Sequence, residues 1–496
     1  MFQKTYKTVK VNLAGGIVSA GDLLSIITAA EKARIEDVQF GTRQQMFLKV
    51  KVEKLAQLEE DLKLANIFFE TEGDEFPNIV SSYVTEGVFQ SAIWVSEGVY
   101  RDVLDHFDFH PRLRINLSDS GQTFIPFFTG HLNFVSSEKN NYWYLYVRFP
   151  KTSQVYAWND LVYTGDIPRL CKIIEEIILG NKELFYGIEN ISAGDLYRVV
   201  AEKVSFVSQP VEQPLKLPQF ALPYYEGFNQ YNNKTWLGIY RRDELYSIAF
   251  LKDICAICKE TKIGQIYTTP WKSLIIKGIE VHQRKLWDYV LGKYRINVRH
   301  ASNELGWQVE DLNEDALNLK HHLIRHFDKD DVRTYGLCFA IKTQPNTSLF
   351  GSVIIKKLPN ESRNQRRALD RYDILYTRDF NPNSKEYILF RKEVPKEFLD
   401  TYLISLCKYY YELNSEQDLI PHEAYQENNP GSGNESPIKL VHQCRDCLTI
   451  YDEAYGDLTN GIESGLPFKD LPDSYECPTC GAGKENFQTI EQPSLV

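Results

Sequence analysis

Long apolar runs, an excess of positive charge and a disulfide-like cysteine pattern are all missing from this chain of 496 residues. No stretch approaches the roughly 20 apolar residues that a membrane-spanning helix needs. The start, Met1-Phe2-Gln3-Lys4-Thr5-Tyr6, lacks a charged leader followed by an apolar stretch. The expectation is a cytoplasmic protein with no membrane partner. A formal net charge of -11 argues against nucleic acid as a partner, because neutralising phosphates takes a clustered basic surface. Of nine cysteines, four sit in short spacings near the C-terminus and five are scattered among apolar residues. That pattern predicts reduced thiols and a metal site.

With 43% hydrophobic and 13% aromatic residues, the chain has the composition of an ordinary globular protein, and its length suggests roughly three domains. The clearest boundary runs from Gln426 to Pro437, a Gly-, Ser- and Asn-rich stretch with almost nothing to bury, read as a flexible tether. Before it, the chain repeats itself at an offset of 228 residues, so that Leu23, Ile35, Val38, Leu48 and Lys49 fall on Leu251, Ile263, Ile266, Ile276 and Lys277. In each copy a stretch with helical apolar spacing (Leu23 to Ala33; Leu251 to Thr261) leads into a short strand, a turn and a second strand. The turns are Gly41-Thr42-Arg43-Gln44 and Thr268-Thr269-Pro270-Trp271-Lys272. Further helical stretches follow, Glu53 to Ala65 and His282 to Gly292, and then Asn78-Ile79 and Asn297-Val298. Segments Thr123 to Phe134, Tyr142 to Phe149, Leu337 to Lys342 and Ser352 to Lys357 alternate as strands do. The predicted class is α+β, a pseudo-two-fold repeat of ferredoxin-like and sheet-rich halves plus a small metal-bound domain. The expected divisions are 1–180 and 233–412 for the halves, 181–232 for their connection, 413–438 for the linker and 439–496 for the metal domain.

Cys444-x-x-Cys447 and Cys477-x-x-Cys480 are the strongest chemical signal, because each pair presents two thiolates from one tight turn and two turns complete a tetrahedron. Zinc and iron both fit four sulfurs, and a structural zinc ribbon is the alternative to an iron site. Around the ligands stand Tyr451-Asp452, Tyr455-Gly456-Asp457, Gly465, Phe468, Leu471-Pro472, Tyr475, and Cys477-Pro478-x-Cys480-Gly481-x-Gly483-Lys484-x-x-Phe487. This stretch of about fifty residues resembles rubredoxins. The resemblance implies one iron held by Cys444, Cys447, Cys477 and Cys480 under an aromatic shell, and one-electron transfer. Leu448 stands where that family usually has glycine, and Tyr475 where it usually has tryptophan.

In the body, Gly15-Gly16-Ile17-Val18-Ser19-Ala20-Gly21-Asp22-Leu23 and Thr42-Arg43-Gln44 resemble the start of sulfite and nitrite reductases that use sirohaem and an iron–sulfur cluster, and Thr269-Pro270-Trp271-Lys272 resembles their second half. The resemblance implies that Arg43 binds an oxyanion or a sirohaem carboxylate, and it places Arg112 and Arg114 near the family's substrate-binding lysines. Arg43 equally suits a structural role, satisfying carbonyls at its turn, and the two other arginines suit a solvated sheet face. The family arginine before the Asn-Val motif is replaced by Pro77, and the two cysteine groups that hold the family's cluster are absent, so no iron–sulfur cluster is expected. Cys171, Cys255, Cys258, Cys338 and Cys407 read as buried core thiols.

The segment from Lys439 to Val496 carries ten acidic against four basic residues, a charge near -6. Between Lys356 and Arg371 lie six basic residues, Lys356, Lys357, Arg363, Arg366, Arg367 and Arg371, against Glu361 and Asp370. The two are complementary in sign, although a charge run is also an ordinary solvated loop. The leading functional reading is an iron-binding electron-transfer protein whose partner is a reductase or an electron donor, serving nitrate, nitrite or sulfite reduction. The alternative is an oxidoreductase that binds sirohaem and is fed by its own rubredoxin iron. A third, non-redox reading is a tetrapyrrole-binding or assembly module.

Overall fold

The computed structural model describes all residues except 1–4, 90–93, 189–192, 232, 301, 345–348, 360–369, 419–437, 446–448, 452, 454–455, 458–459, 463–464, 479–480 and 494–496. The chain forms two compact units, Met1–Gln417 and Asp418–Val496. Among the described residues no helix is long and apolar enough to cross a membrane.

The repeat seen in the sequence governs the first unit. Strand Tyr6–Val11, helix Ala20–Lys32 and strands Asp37–Phe40 and Met46–Lys51 recur, each displaced by 228 residues, as Lys234–Ile239, Ile248–Glu260, Gln265–Thr268 and Leu274–Ile279. The two helices start in the same way. Ser19 accepts the backbone N–H of Asp22 and Ser247 that of Phe250, each satisfying a donor that the first helical turn leaves without a partner. Leu23, Ile26, Ile27 and Ala30 line one face of the first helix, and Leu251, Ile254, Cys255 and Cys258 line one face of the second. Both faces share one core with the strand residues Val9, Val38, Leu48, Ile266 and Ile276.

Each half lends the other a strand. Ile17–Ser19 pairs with Gln265–Thr268 of the second half, and Tyr246–Ser247 pairs with Asp37–Phe40 of the first. Each five-stranded sheet is therefore completed by the strand that precedes the other half's helix. Gln44 and Lys272, again 228 apart, both adopt positive φ at their turns. Gln44 donates to the carbonyls of Ser81 and Thr268, tying the halves together at the turn.

Each half then builds a second sheet with one shared order. In the first, Val80–Ser81, Ile115–Ser118 and Leu132–Ser136 run parallel, followed by antiparallel Tyr142–Val147 and Asp160–Tyr163. In the second, Trp307–Val309, Phe339–Lys342 and Val353–Lys357 run parallel, followed by antiparallel Arg371–Thr377 and Tyr387–Pro395. The expected α+β class with its pseudo-two-fold repeat is thus what the chain adopts. Thr123 to Phe134 is not the continuous strand its alternation suggested, because only Leu132–Ser136 pairs there. Pro126 has no N–H to give, and Gln122 and Asn133 side chains bond the backbone of Ile125 and Gly130 instead of leaving it to a ladder.

The second unit is a three-stranded antiparallel sheet in which Ile438–Cys444 lies between Ile450–Tyr451 and Phe487–Pro493. Its small core is Tyr451, Ile462, Leu471, Tyr475 and Phe487, with Cys444 and Cys477 among them.

Candidate metal centre and a cation-lined cavity

Two short loops of the same design carry the cysteine pairs. The N–H of Cys444 donates to the carbonyl of Thr449 (2.8 Å) and that of Cys477 to the carbonyl of Ala482 (2.7 Å), so each loop closes five residues after its first cysteine. Both cysteines are almost fully buried, at 0% and 2% exposure. Cys447 and Cys480 lie outside the described residues, as does Leu448. In the second loop Gly481 adopts φ +72°, a conformation in which a side chain is strained. Beneath the loops Tyr475 packs against Tyr451 and Phe487, both at 5.8 Å between ring centres, and Phe468 lies 5.3 Å from Phe487. The hydroxyl of Tyr475 donates to Asp457 (2.9 Å), which supplies the partner a buried polar tip requires. Burial, and then that carboxylate, raise the Tyr475 hydroxyl well above its ordinary pKa, so it stays a neutral donor. Four sulfurs from two such loops, within an apolar aromatic shell, suit a single tetrahedral metal ion that exchanges charge without changing its ligands.

The first unit contains a cavity of about 1020 Å³ lined by residues of both halves. Its walls present Arg112, Arg114, Arg148, Lys151, Lys342 and Lys385, and among the described lining residues Asp74 is the one carboxylate. Arg112 and Arg114 sit just before strand Ile115–Ser118 rather than on it. Arg112 pairs with Glu75 (2.7 Å) and Arg114 reaches Asp74 at 3.5 Å. Arg43 does not line the cavity. Its guanidinium donates to the carbonyls of Asn78 (2.7 Å) and Ile115 (3.1 Å), which lie outside its own turn, while its Nε is buried without a partner among the described residues.

These cations act on one another. Burial, then Arg114, pushes Arg43 down to about 9 and Arg148 down to about 10. Burial, then Arg148, brings Lys342 down to about 8, and burial, then Lys342 and Arg148, brings Lys385 down to about 7. His131, also on the wall, is held well below its ordinary value by burial and then by Arg148, Arg114 and Arg43. It is neutral, and since its Nδ1 accepts the N–H of Arg114 (3.0 Å), the ring proton is on Nε2. The arrangement attracts anions strongly and repels cations. A second cleft, of about 970 Å³, mixes Lys49 and Lys51 with Glu36, Asp37 and Glu314 and has no such bias.

Sequence reasoning did not find His131, Arg148, Lys342 or Lys385, which lie at or near the ends of aromatic and apolar strands. The available signal was that Arg148 directly follows one such strand and Lys342 ends another. The core reading of the body cysteines agrees with their placement. All five are buried, and burial pushes the thiols of Cys255, Cys258, Cys338 and Cys407 up to about 12 and holds that of Cys171 well above its ordinary value. Of the basic run, Lys357 pairs with Asp370 (2.8 Å), and Arg363, Arg366 and Arg367 lie outside the described residues.

Comparison with known proteins separates the two units. The Rubredoxin family model matches residues 441–487. Rubredoxin-1 of Pseudomonas aeruginosa is 49% identical over 49 residues, which are 10% of this chain and 89% of that protein. High molecular weight rubredoxin of Moorella thermoacetica is 49% identical over 49 residues, and there the match spans 21% of the relative's length. The body shares its fold with the Mycobacterium tuberculosis NirA protein, with a TM-score of 0.61 at 14% identity, covering 86% of this chain and 83% of that one. Through its C-terminal domain, the chain belongs to the rubredoxin family.

Proposed function

We propose that this chain is a one-electron carrier serving the reduction of nitrate, nitrite or sulfite, with a single iron held by Cys444, Cys447, Cys477 and Cys480. The observation that carries the reading is the pair of matching loops that bury Cys444 and Cys477 over the Tyr451, Tyr475 and Phe487 shell, within a domain of the rubredoxin family. Iron held by four thiolates supplies a one-electron couple. The chain's own residues exclude water from it and fix its ligands in place, which keeps the reorganisation on electron transfer small. The link to nitrogen or sulfur oxyanions rests on the body's NirA-like fold and on the sequence resemblance around Arg43 and Lys272.

The cavity favours a second reading, in which the body binds sirohaem or a related tetrapyrrole and the rubredoxin iron feeds it. Arg112, Arg114, Arg148, Lys342 and Lys385 line the cavity and suit the carboxylates of such a ring. Assays of the purified full chain with reduced viologen dye and either nitrite or sulfite distinguish the two. A carrier shows at most weak turnover. Rates typical of enzymes, on the order of 10 per second, would replace the first reading with the second.

A further inference from the structure

Asp457 places a carboxylate against the small core that surrounds the cysteine loops, in a residue only 9% exposed. Two neutral donors meet one of its oxygens, the Tyr475 hydroxyl and the Asn460 side-chain amide, both at 2.9 Å. Its other oxygen accepts the backbone N–H of Asn460 at 3.3 Å. These donors fix the carboxylate and leave its charge in place. An asparagine at this position could accept the same two side-chain hydrogen bonds without the free-energy cost of shielding a charge from water. The charge itself therefore calls for a role that hydrogen bonding does not supply.

Both donors lead to the second cysteine loop. Tyr475 stands two residues before Cys477, and the Asn460 amide also donates to the carbonyl of Glu476 (2.8 Å), the residue just before that cysteine. Asp457 and Ile462 exchange both of their backbone hydrogen bonds, at 3.0 and 2.8 Å. Ile462 in turn belongs to the core that holds Tyr451, Tyr475, Phe487, Cys444 and Cys477. The carboxylate is thus joined to the sulfurs through one apolar core, which screens a charge far less than water does.

We propose that Asp457 sets the reduction potential of the iron centre, as a fixed negative charge that opposes the incoming electron and holds the potential below the value a neutral residue would give. The inference rests on the reading of this domain as a one-iron centre and adds to it the residue that tunes the iron. Ferric iron with four thiolates already carries net negative charge, and its reduction adds one electron while no bond forms or breaks. A buried anion disfavours the more negative, reduced form more than the oxidised one, so it lowers the potential. Tyr475 and Asn460 are positioning residues in this arrangement, since they hold the carboxylate against the stretch that leads into Cys477.

The test is a spectroelectrochemical titration of the iron-loaded full chain at low and high salt. Asp457→Asn should raise the potential, shifting the reduction equilibrium with a common donor by at least about threefold. Because the charge is buried, that shift should persist from about 0.05 to about 0.5 M salt. Asp473→Asn removes an exposed carboxylate from the same domain, and any shift it causes should fade over that range. Asp457→Ser, which is also neutral, should raise the potential likewise and serves if the asparagine variant does not fold. Iron content and the absorption spectrum check that each variant keeps its centre. A one-iron variant whose potential is unchanged or lower, or whose upward shift vanishes at high salt, would overturn the inference and leave the iron centre standing. Parent protein that takes up zinc and no iron would overturn the reading beneath it as well.

Discussion

Lys385 is held in the folded chain at a cost to stability. In the ligand-free chain, burial and the neighbouring Lys342 and Arg148 push it down to about 7. From about pH 7 to about pH 10 the unfolded chain holds this proton more tightly than the folded one. Stability therefore rises with pH across that window, and the penalty is fully present below it. Lys385→Met should raise the ligand-free protein's stability at pH 6.5 by on the order of 1 kcal/mol, allowing for solvent screening of a half-buried group. The gain should shrink toward pH 10, and thermal melts of the two proteins at both pH values measure it. A variant less stable than the parent at pH 6.5 would mean that Lys385 has a structural partner. Site residues were only partly legible at this scale. The cysteine spacing stood out because two pairs announce themselves along the chain, whereas Arg148, Lys342 and Lys385 come together only when distant strands are assembled.

Helices and strands were far more legible, because the repeat reports on them twice. Helices Ala20–Lys32 and Ile248–Glu260 have the same length, and each begins at a serine that caps its first turn. Ser19→Ala and Ser247→Ala should each cost about 1 kcal/mol, visible as matching shifts of the denaturation midpoint. Their effects should add to within about 0.5 kcal/mol if the caps act independently. A double variant losing much more than the sum would show that the exchanged strands Ile17–Ser19 and Tyr246–Ser247 couple the N-termini of the two helices. That exchange was hidden from sequence, since a two- or three-residue strand has no pattern of its own and its partner lies in the other half of the repeat. The stretch from Thr123 to Gly130 was misread because alternating aromatics signal burial on two sides and do not by themselves specify a ladder.

At the scale of the whole molecule, the chain joins an acidic rubredoxin domain to a body with a basic cavity. The C-terminal segment from Lys439 carries ten acidic and four basic residues. Exposed charges are screened beyond about 10 Å at 0.1 M salt. Electron transfer from the iron to its acceptor should therefore slow as ionic strength rises, as stopped-flow traces at increasing salt would show. A rate independent of salt would remove charge complementarity from the account and leave proximity alone. The central claim is the iron centre itself. Its most direct test is the absorption spectrum, with metal analysis, of oxidised protein purified from its native host. The account predicts the charge-transfer bands and red colour of a ferric tetrathiolate at about one iron per chain, lost in Cys477→Ser. Protein that is colourless and carries more zinc than iron would contradict it.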